Sequence, residues 1–193
     1  MYYPLFFITI SLFLLSSCSD ALTNNTGATS GYYNVDSLLN SHRQRIVSSV
    51  PEAEVTAVIN GREATSRIRL DSARWEEIYT VLQKASIHQP ALRGEYNVSH
   101  ETGNTEKLVK YTAKDSENAQ VDSLFVTFSN KSNQPTYINA YLVNNNLLYS
   151  TSKHIQINLD PRKDLISSYQ VAGTWDIILK GKERFSRSTT IQW

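Results

Sequence analysis

Two segments of the chain carry apolar residues at the spacing of an amphipathic α-helix. The first starts at Asp36, which is expected to cap it, and ends at Pro51. Its apolar side comprises Leu38, Leu39, His42, Ile46, Val47 and Val50. The second starts at Asp71 or Ser72 and ends before Pro90. Its apolar stripe comprises Trp75, Ile78, Tyr79, Leu82 and Ala85. The pattern therefore predicts two helices, each with one face to bury.

A β-hairpin is predicted between these two helices. Asn60-Gly61 supplies the two positive-φ positions of a type I′ turn and lies between two segments of mixed polarity. A two-residue loop pairs Ile59 with Arg62, and the same register places a set of mostly apolar or small side chains on one face. That set is Ala53, Val55, Ala57, Ile59, Ala64, Ser66 and Ile68. We expect the second helix to cover this dry face.

From Gly94 to the end, apolar and polar residues alternate in short runs, as they do in β-strands. Turns are predicted at residues 102–104, 130–135, 144–146 and 160–161, which are rich in Gly, Asn, Asp and Pro. The last part of the chain suggests three strands, broken at Gly173 and Gly181.

The order of these elements predicts an α+β fold, with a largely antiparallel sheet of about eight or nine strands. One or two helices cover part of the sheet. A curved sheet, an open barrel and a β-sandwich are all compatible with this order, and the strand topology is left open.

The first residues of the chain follow a different pattern. An apolar run, Leu5 to Leu15, is followed by Ser16, Ser17 and Cys18, the only cysteine in the sequence. An apolar stretch followed by small residues is typical of a secretory signal. Leu15-Ser16-Ser17-Cys18 resembles the lipobox of bacterial lipoproteins. The resemblance implies that Cys18 is the lipid-attachment site and the first residue of the mature protein.

This resemblance divides the chain into three parts. Residues 1–17 are a signal peptide, residues 18–35 are the lipidated cysteine with a flexible tether, and residues 36–193 are a single α+β domain. A tether of this length reaches roughly 20–25 Å. Ser19 and Asp20 resemble the sorting signal of outer-membrane lipoproteins. We therefore expect an outer-membrane location, facing the periplasm or the cell surface, with the membrane as a partner through the lipid anchor.

Charge and composition narrow the list of further partners. Lysine and arginine total 19 against 18 acidic residues, without a block of like charge, so a nucleic-acid partner is not expected. The single cysteine leaves no disulfide to form once Cys18 is acylated.

The sequence contains no catalytic or metal-binding pattern to which a residue can be assigned. His42, His88, His100 and His154 are scattered, without zinc-ligand spacing. His42, on the apolar side of the first helix, is expected to be partly buried with one backbone partner. There is no Gly-x-Ser-x-Gly motif and no glycine-rich phosphate loop. No catalytic, cofactor-binding or metal-binding residue is predicted, and no cofactor is expected.

Tyrosine is the remaining unusual feature, with 11 in the chain. Six lie in or at the ends of predicted strands: Tyr96, Tyr111, Tyr137, Tyr141, Tyr149 and Tyr169. Such rings suit sugars or protein partners, and tyrosine is also common in half-buried strands. We expect a non-catalytic, lipid-anchored envelope protein that binds a protein partner. The alternatives are a glycan- or small-ligand-binding lipoprotein using exposed Tyr or Trp, and a hydrolase whose site is dispersed in the sequence.

Overall fold

The computed structural model describes residues 31–178 and 181–193, and these form an α+β domain with nine strands. The helices are α1 (Val35–Ser49) and α2 (Ser72–Leu82), and short 3₁₀ turns follow at Gln83–Ala85 and Pro90–Leu92. The strands are β1 (Glu52–Ile59), β2 (Arg62–Arg69), β3 (Tyr96–Thr102), β4 (Glu106–Ala113), β5 (Val121–Ser129), β6 (Pro135–Asn145), β7 (Tyr149–Asp160), β8 (Leu165–Ile177) and β9 (Gly181–Gln192). The predicted fold class is confirmed.

All nine strands lie in one antiparallel sheet, in the order β2-β1-β9-β8-β7-β6-β5-β4-β3. Strands β3 to β9 pair with their chain neighbours, and the early β1–β2 hairpin joins the sheet through β9. The sheet is curved and open, with β2 and β3 as its edges, so the β-sandwich is excluded. We call the side packed against the helices the inner face.

The first helix begins slightly earlier than its sequence pattern indicates. Asn34 is the N-cap, because its Oδ1 accepts a hydrogen bond of 2.8 Å from the Ser37 amide. The expected cap, Asp36, instead accepts a hydrogen bond of 2.6 Å from the Ser86 hydroxyl. Asp36 therefore ties α1 to the segment that follows α2. Buried Tyr32 and Val35 also place the start of the packed domain before residue 36.

The second helix follows its predicted pattern closely. Asp71 is the N-cap and accepts from the Arg74 amide at 2.9 Å, while Trp75, Ile78 and Leu82 are buried. On the surface, Arg43 of α1 forms an ion pair of 2.6 Å with Glu76 of α2. The two helices therefore pack together as one layer on the sheet.

The β1–β2 hairpin has the predicted register, from Ile59 opposite Arg62 to Ala53 opposite Ile68. Its cover is only partial. Ala53 and Val55 are buried, whereas Ile59, near the turn, is 53% exposed. The expectation that α2 covers the whole dry face is therefore wrong for the half next to the turn, because α2 lies over β7, β8 and β9 instead.

Gly173 does not break a strand, contrary to the prediction, because β8 runs through it without interruption. Gly181 does begin a new strand, with a φ of 82° that suits glycine.

Residues 1–17 and Cys18 lie outside the described residues. Within the part that is described, no helix is both long and apolar enough to cross a membrane.

Candidate ligand-binding cavity

The register of the last three strands places a mixed row of side chains under α2. Antiparallel partners point to the same side of a sheet, and Lys153, Gly173 and Phe185 are opposite one another across β7, β8 and β9. Two residues further along the sheet, Ile155 and Val171 form the next apolar pair. These residues all face inward, toward the second helix.

A cavity of about 240 Å³ lies between α2 and this part of the inner face. Glu77, Ile78 and Val81 line it from the helix. From the sheet it is lined by Ile155, Tyr169, Val171, Trp175 and Phe185. Its wall is largely apolar, and its volume is just below the range of about 300–1,000 Å³ typical of sites for drug-sized molecules. The cavity suits a short apolar chain or part of a longer one.

An aromatic pair forms one end of the cavity. The rings of Trp175 and Phe185 are stacked, with their centroids 4.7 Å apart and their planes at 25°. Gly173 makes this packing possible, because a Cβ there would lie 2.2 Å from the Ser152 carbonyl oxygen and 3.0 Å from the Phe185 ring. The mid-strand glycine therefore gives Phe185 the space to lie against β8.

The wall also carries charged residues. Lys84, Lys153 and Arg187 line the cavity together with Glu77, whose carboxylate is already paired with Arg74 at 3.2 Å. Burial lowers the pKa of the Lys153 ammonium, and the nearby positive charge of Lys84 lowers it further. The charged part of the wall is therefore mainly cationic.

Two buried hydroxyl groups belong to residues of the inner face, and one of these residues, Tyr169, lines the cavity. Tyr169 and Thr189 are directly opposite each other on β8 and β9. Neither hydroxyl has a hydrogen-bond partner of good geometry within residues 31–178 and 181–193. Burial raises the pKa of the Tyr169 phenol, so it stays protonated at neutral pH and can donate.

A second, smaller cavity of about 100 Å³ adjoins the first. Lys84 and Lys153 line both cavities. The rest of its wall is mixed, because Gln120, Asn144 and Thr151 bring polar groups while Leu142 and Val143 bring apolar ones. The two lysines therefore lie between an apolar compartment and one of mixed polarity.

The tyrosines singled out from the sequence do not form one surface. Tyr96, Tyr111 and Tyr169 are buried in the core. Tyr137 and Tyr141 lie on the outer face, where Tyr141 stacks on His154 with centroids 4.3 Å apart and Tyr137 accepts a hydrogen bond from Gln156. These rings are engaged with neighbouring side chains and do not form a concave aromatic platform.

The four histidines lie in different settings. His42 has the expected backbone partner, with Nδ1 placed 2.8 Å from the Leu38 carbonyl oxygen, but it is fully rather than partly buried. The Nδ1 of His88 lies 2.9 Å from the Tyr32 carbonyl oxygen. His100 is exposed on edge strand β3, and His154 is on the outer face. Over the described ranges, no group of three or more His, Cys, Asp or Glu residues has the arrangement of a metal site.

A separate exposed apolar surface lies at one end of the sheet, where the β6–β7 and β8–β9 turns meet. Leu147 is 92% exposed, Leu148 is 72% exposed and Ile178 is 69% exposed. The Ile178 amide donates a hydrogen bond of 3.3 Å to the Leu148 carbonyl oxygen, which joins the two turns. We call Leu147, Leu148, Tyr149, Ile177 and Ile178 the apolar tip.

The cavity could not be predicted from the sequence because α2 is far along the chain from the three consecutive strands β7, β8 and β9 that form its other wall. A local signal was present in β7 and β9. Lys153 and Arg187 occupy inward positions where the alternation calls for an apolar residue. A charged residue at an inward position of a strand is a reason to look for a site.

The fold and the cavity together define an α+β protein with a ligand-sized space between a helix and an antiparallel sheet. No protein-family profile matches the chain, and no curated protein sequence is significantly similar to it. Among solved structures, the chain is similar to a LolA superfamily protein from Nitrosomonas europaea, with 11% identity over 82% of this chain and 92% of that chain and a TM-score of 0.28. Similarity at this level assigns neither a family nor a function.

Proposed function

We propose that this chain is a lipid-anchored binding protein of the cell envelope that holds a small apolar ligand between α2 and the sheet. The observation that supports this most is the apolar cavity of about 240 Å³. Ligand sites are usually concave, mostly apolar clefts with a few polar groups, and this cleft between a helix and a sheet has that character. The lipobox-like Cys18 supports the envelope location.

Binding of a fluorescent apolar probe tests this proposal, with the mature chain from residue 18 carrying Cys18→Ser so that no attached acyl chain competes. This chain contains every helix and strand described here. Val81→Trp places a large ring in the cavity, and we expect probe affinity to fall about tenfold or more. Thr80→Trp is the matched control, because Thr80 is exposed on α2 and outside the cavity wall. Absence of binding by the unblocked chain, or equal loss in both variants, would contradict the proposal.

A protein partner in the envelope is a second candidate, supported by the apolar tip. Contiguous exposed apolar side chains commonly mark interaction surfaces. A photo-crosslinking residue at position 148 should give a discrete protein adduct in the native envelope. The same residue at Lys131, in the β5–β6 loop, is the control. Adducts with lipid alone at position 148, or the same protein adducts at both positions, would contradict this candidate.

A further inference from the structure

The positions of Lys84 and Lys153 bear on the charge of the ligand that the cavity would bind. Lys84 follows α2 in a 3₁₀ turn, and Lys153 projects from the inner face of β7. Both line the apolar cavity and also the smaller cavity of mixed polarity beside it. A molecule that occupies both spaces therefore passes the two lysine side chains.

These two cations lack local compensation. Among the residues that the structure describes, neither ammonium group has a carboxylate within the 4.0 Å of an ion pair. Glu77, the acidic residue on the cavity wall, is paired with Arg74. Lys153 is half-buried and Lys84 is exposed, and their two positive charges repel each other. An anion between them removes that repulsion.

The smaller cavity provides hydrogen-bonding groups that could bind such an anion. Thr151 and Asn144 are direct partners across β7 and β6 and point inward, and Gln120 lies beside them. Their side chains bring hydroxyl and amide groups that can donate hydrogen bonds. A charge-assisted hydrogen bond to an anion is roughly twice as strong as a neutral one.

We propose that the ligand is an anionic amphiphile, with its apolar chain in the cavity under α2 and its acidic head between Lys84 and Lys153. This inference rests on the proposed function and names the chemical class of its ligand. A carboxylate head and a phosphate head share the required chemistry. The smaller cavity of about 100 Å³ holds the head, and the apolar cavity of about 240 Å³ holds the first part of the chain.

Displacement of the apolar probe from the mature chain carrying Cys18→Ser tests this inference. Dodecanoate, dodecyl phosphate, dodecanol and dodecyltrimethylammonium are compared below their micellar concentrations. We expect at least one of the two anions to bind about tenfold or more tighter than dodecanol, and the cation to bind weakest. The ratio between the two anions then indicates a carboxylate or a phosphate head.

The double variant Lys84→Gln, Lys153→Gln tests the assignment of the head site. It should lose the preference for the anions and keep the wild-type affinity for dodecanol, which also shows that the cavity is intact. The double variant Lys131→Gln, Lys163→Gln, at two exposed turn positions outside both cavities, is the charge-matched control and should keep the preference. Equal binding of dodecanol and both anions, or a preference that survives the double variant, would overturn this inference and leave the proposed function standing. Failure of all four compounds and the probe to bind would refute the proposed function itself.

Discussion

At the scale of single residues, two ring side chains, Trp75 and His42, bring polar nitrogen atoms into the buried core. Trp75 is fully buried, and its indole N–H has no hydrogen-bond partner in the described part of the chain. His42 is also buried, and desolvation lowers the pKa of its imidazole, which favours the neutral ring. Both residues lie on the predicted apolar stripes of their helices, but the period predicted only partial burial for His42, which is in fact buried completely.

Trp75 gives the clearest prediction for stability. Trp75→Ala should lower the free energy of unfolding by about 3–5 kcal/mol, because it leaves a large cavity in the core. Trp75→Phe keeps most of the ring and removes the unpaired N–H, so it should cost clearly less, about 1–2 kcal/mol. Urea unfolding of both variants measures the difference. A loss below about 1 kcal/mol for Trp75→Ala would show that the ring is not part of a packed core.

At the scale of elements, alternation along a strand predicts which side chains point inward but not whether a glycine ends the strand. Gly173 was expected to be a break, yet β8 continues through it and Phe185 packs against its bare backbone. The reason is a contact between strands. The pattern of residues along β8 cannot show that a neighbouring strand places an aromatic ring at that position.

Gly173→Ala should therefore disturb both the sheet and the cavity. The new methyl group would lie 2.2 Å from the Ser152 carbonyl oxygen, and β7 must shift to relieve the clash. We expect a loss of about 1–3 kcal/mol in the free energy of unfolding, together with weaker probe binding.

Gly103→Ala is the matched control for this prediction. A Cβ at position 103 would lie 3.4 Å from its nearest neighbour, the Glu106 carbonyl oxygen, and Gly103 lies outside the cavity wall. Its effect should be below about 1 kcal/mol, with probe binding unchanged. Equal effects of the two substitutions in urea unfolding would contradict the role given to Gly173.

At the scale of the whole molecule, the pairing of β1 with β9 joins the two ends of the domain. The early hairpin pairs along its length with the last strand, from Glu52 opposite Gln192 to Ile59 opposite Phe185. This pairing brings the hairpin beside the strands that line the cavity. It links residues more than a hundred positions apart, which no local pattern connects.

The lipid anchor predicted at Cys18 concerns the location of the whole protein in the cell. Cys18→Ser should abolish fatty-acid labelling and release the protein from the membrane fraction, because the thiol that carries the lipid is removed. Labelling with a fatty-acid analogue, followed by fractionation, measures both effects. Thr23→Ala, in the expected tether, is the control and should remain labelled. Membrane retention of the Cys18→Ser variant would refute the anchor.

The amino-acid sequence by itself determined the local elements: two amphipathic helices, the hairpin register set by Asn60-Gly61, and the alternating strands. These follow from side-chain period and turn chemistry, which act over a few neighbouring residues. Only the tertiary structure decided the strand order, the partial cover of the hairpin and the placement of Lys84 and Lys153 on the walls of the same two cavities. Those features depend on how the sheet and α2 pack, because packing brings together side chains that are distant in the chain.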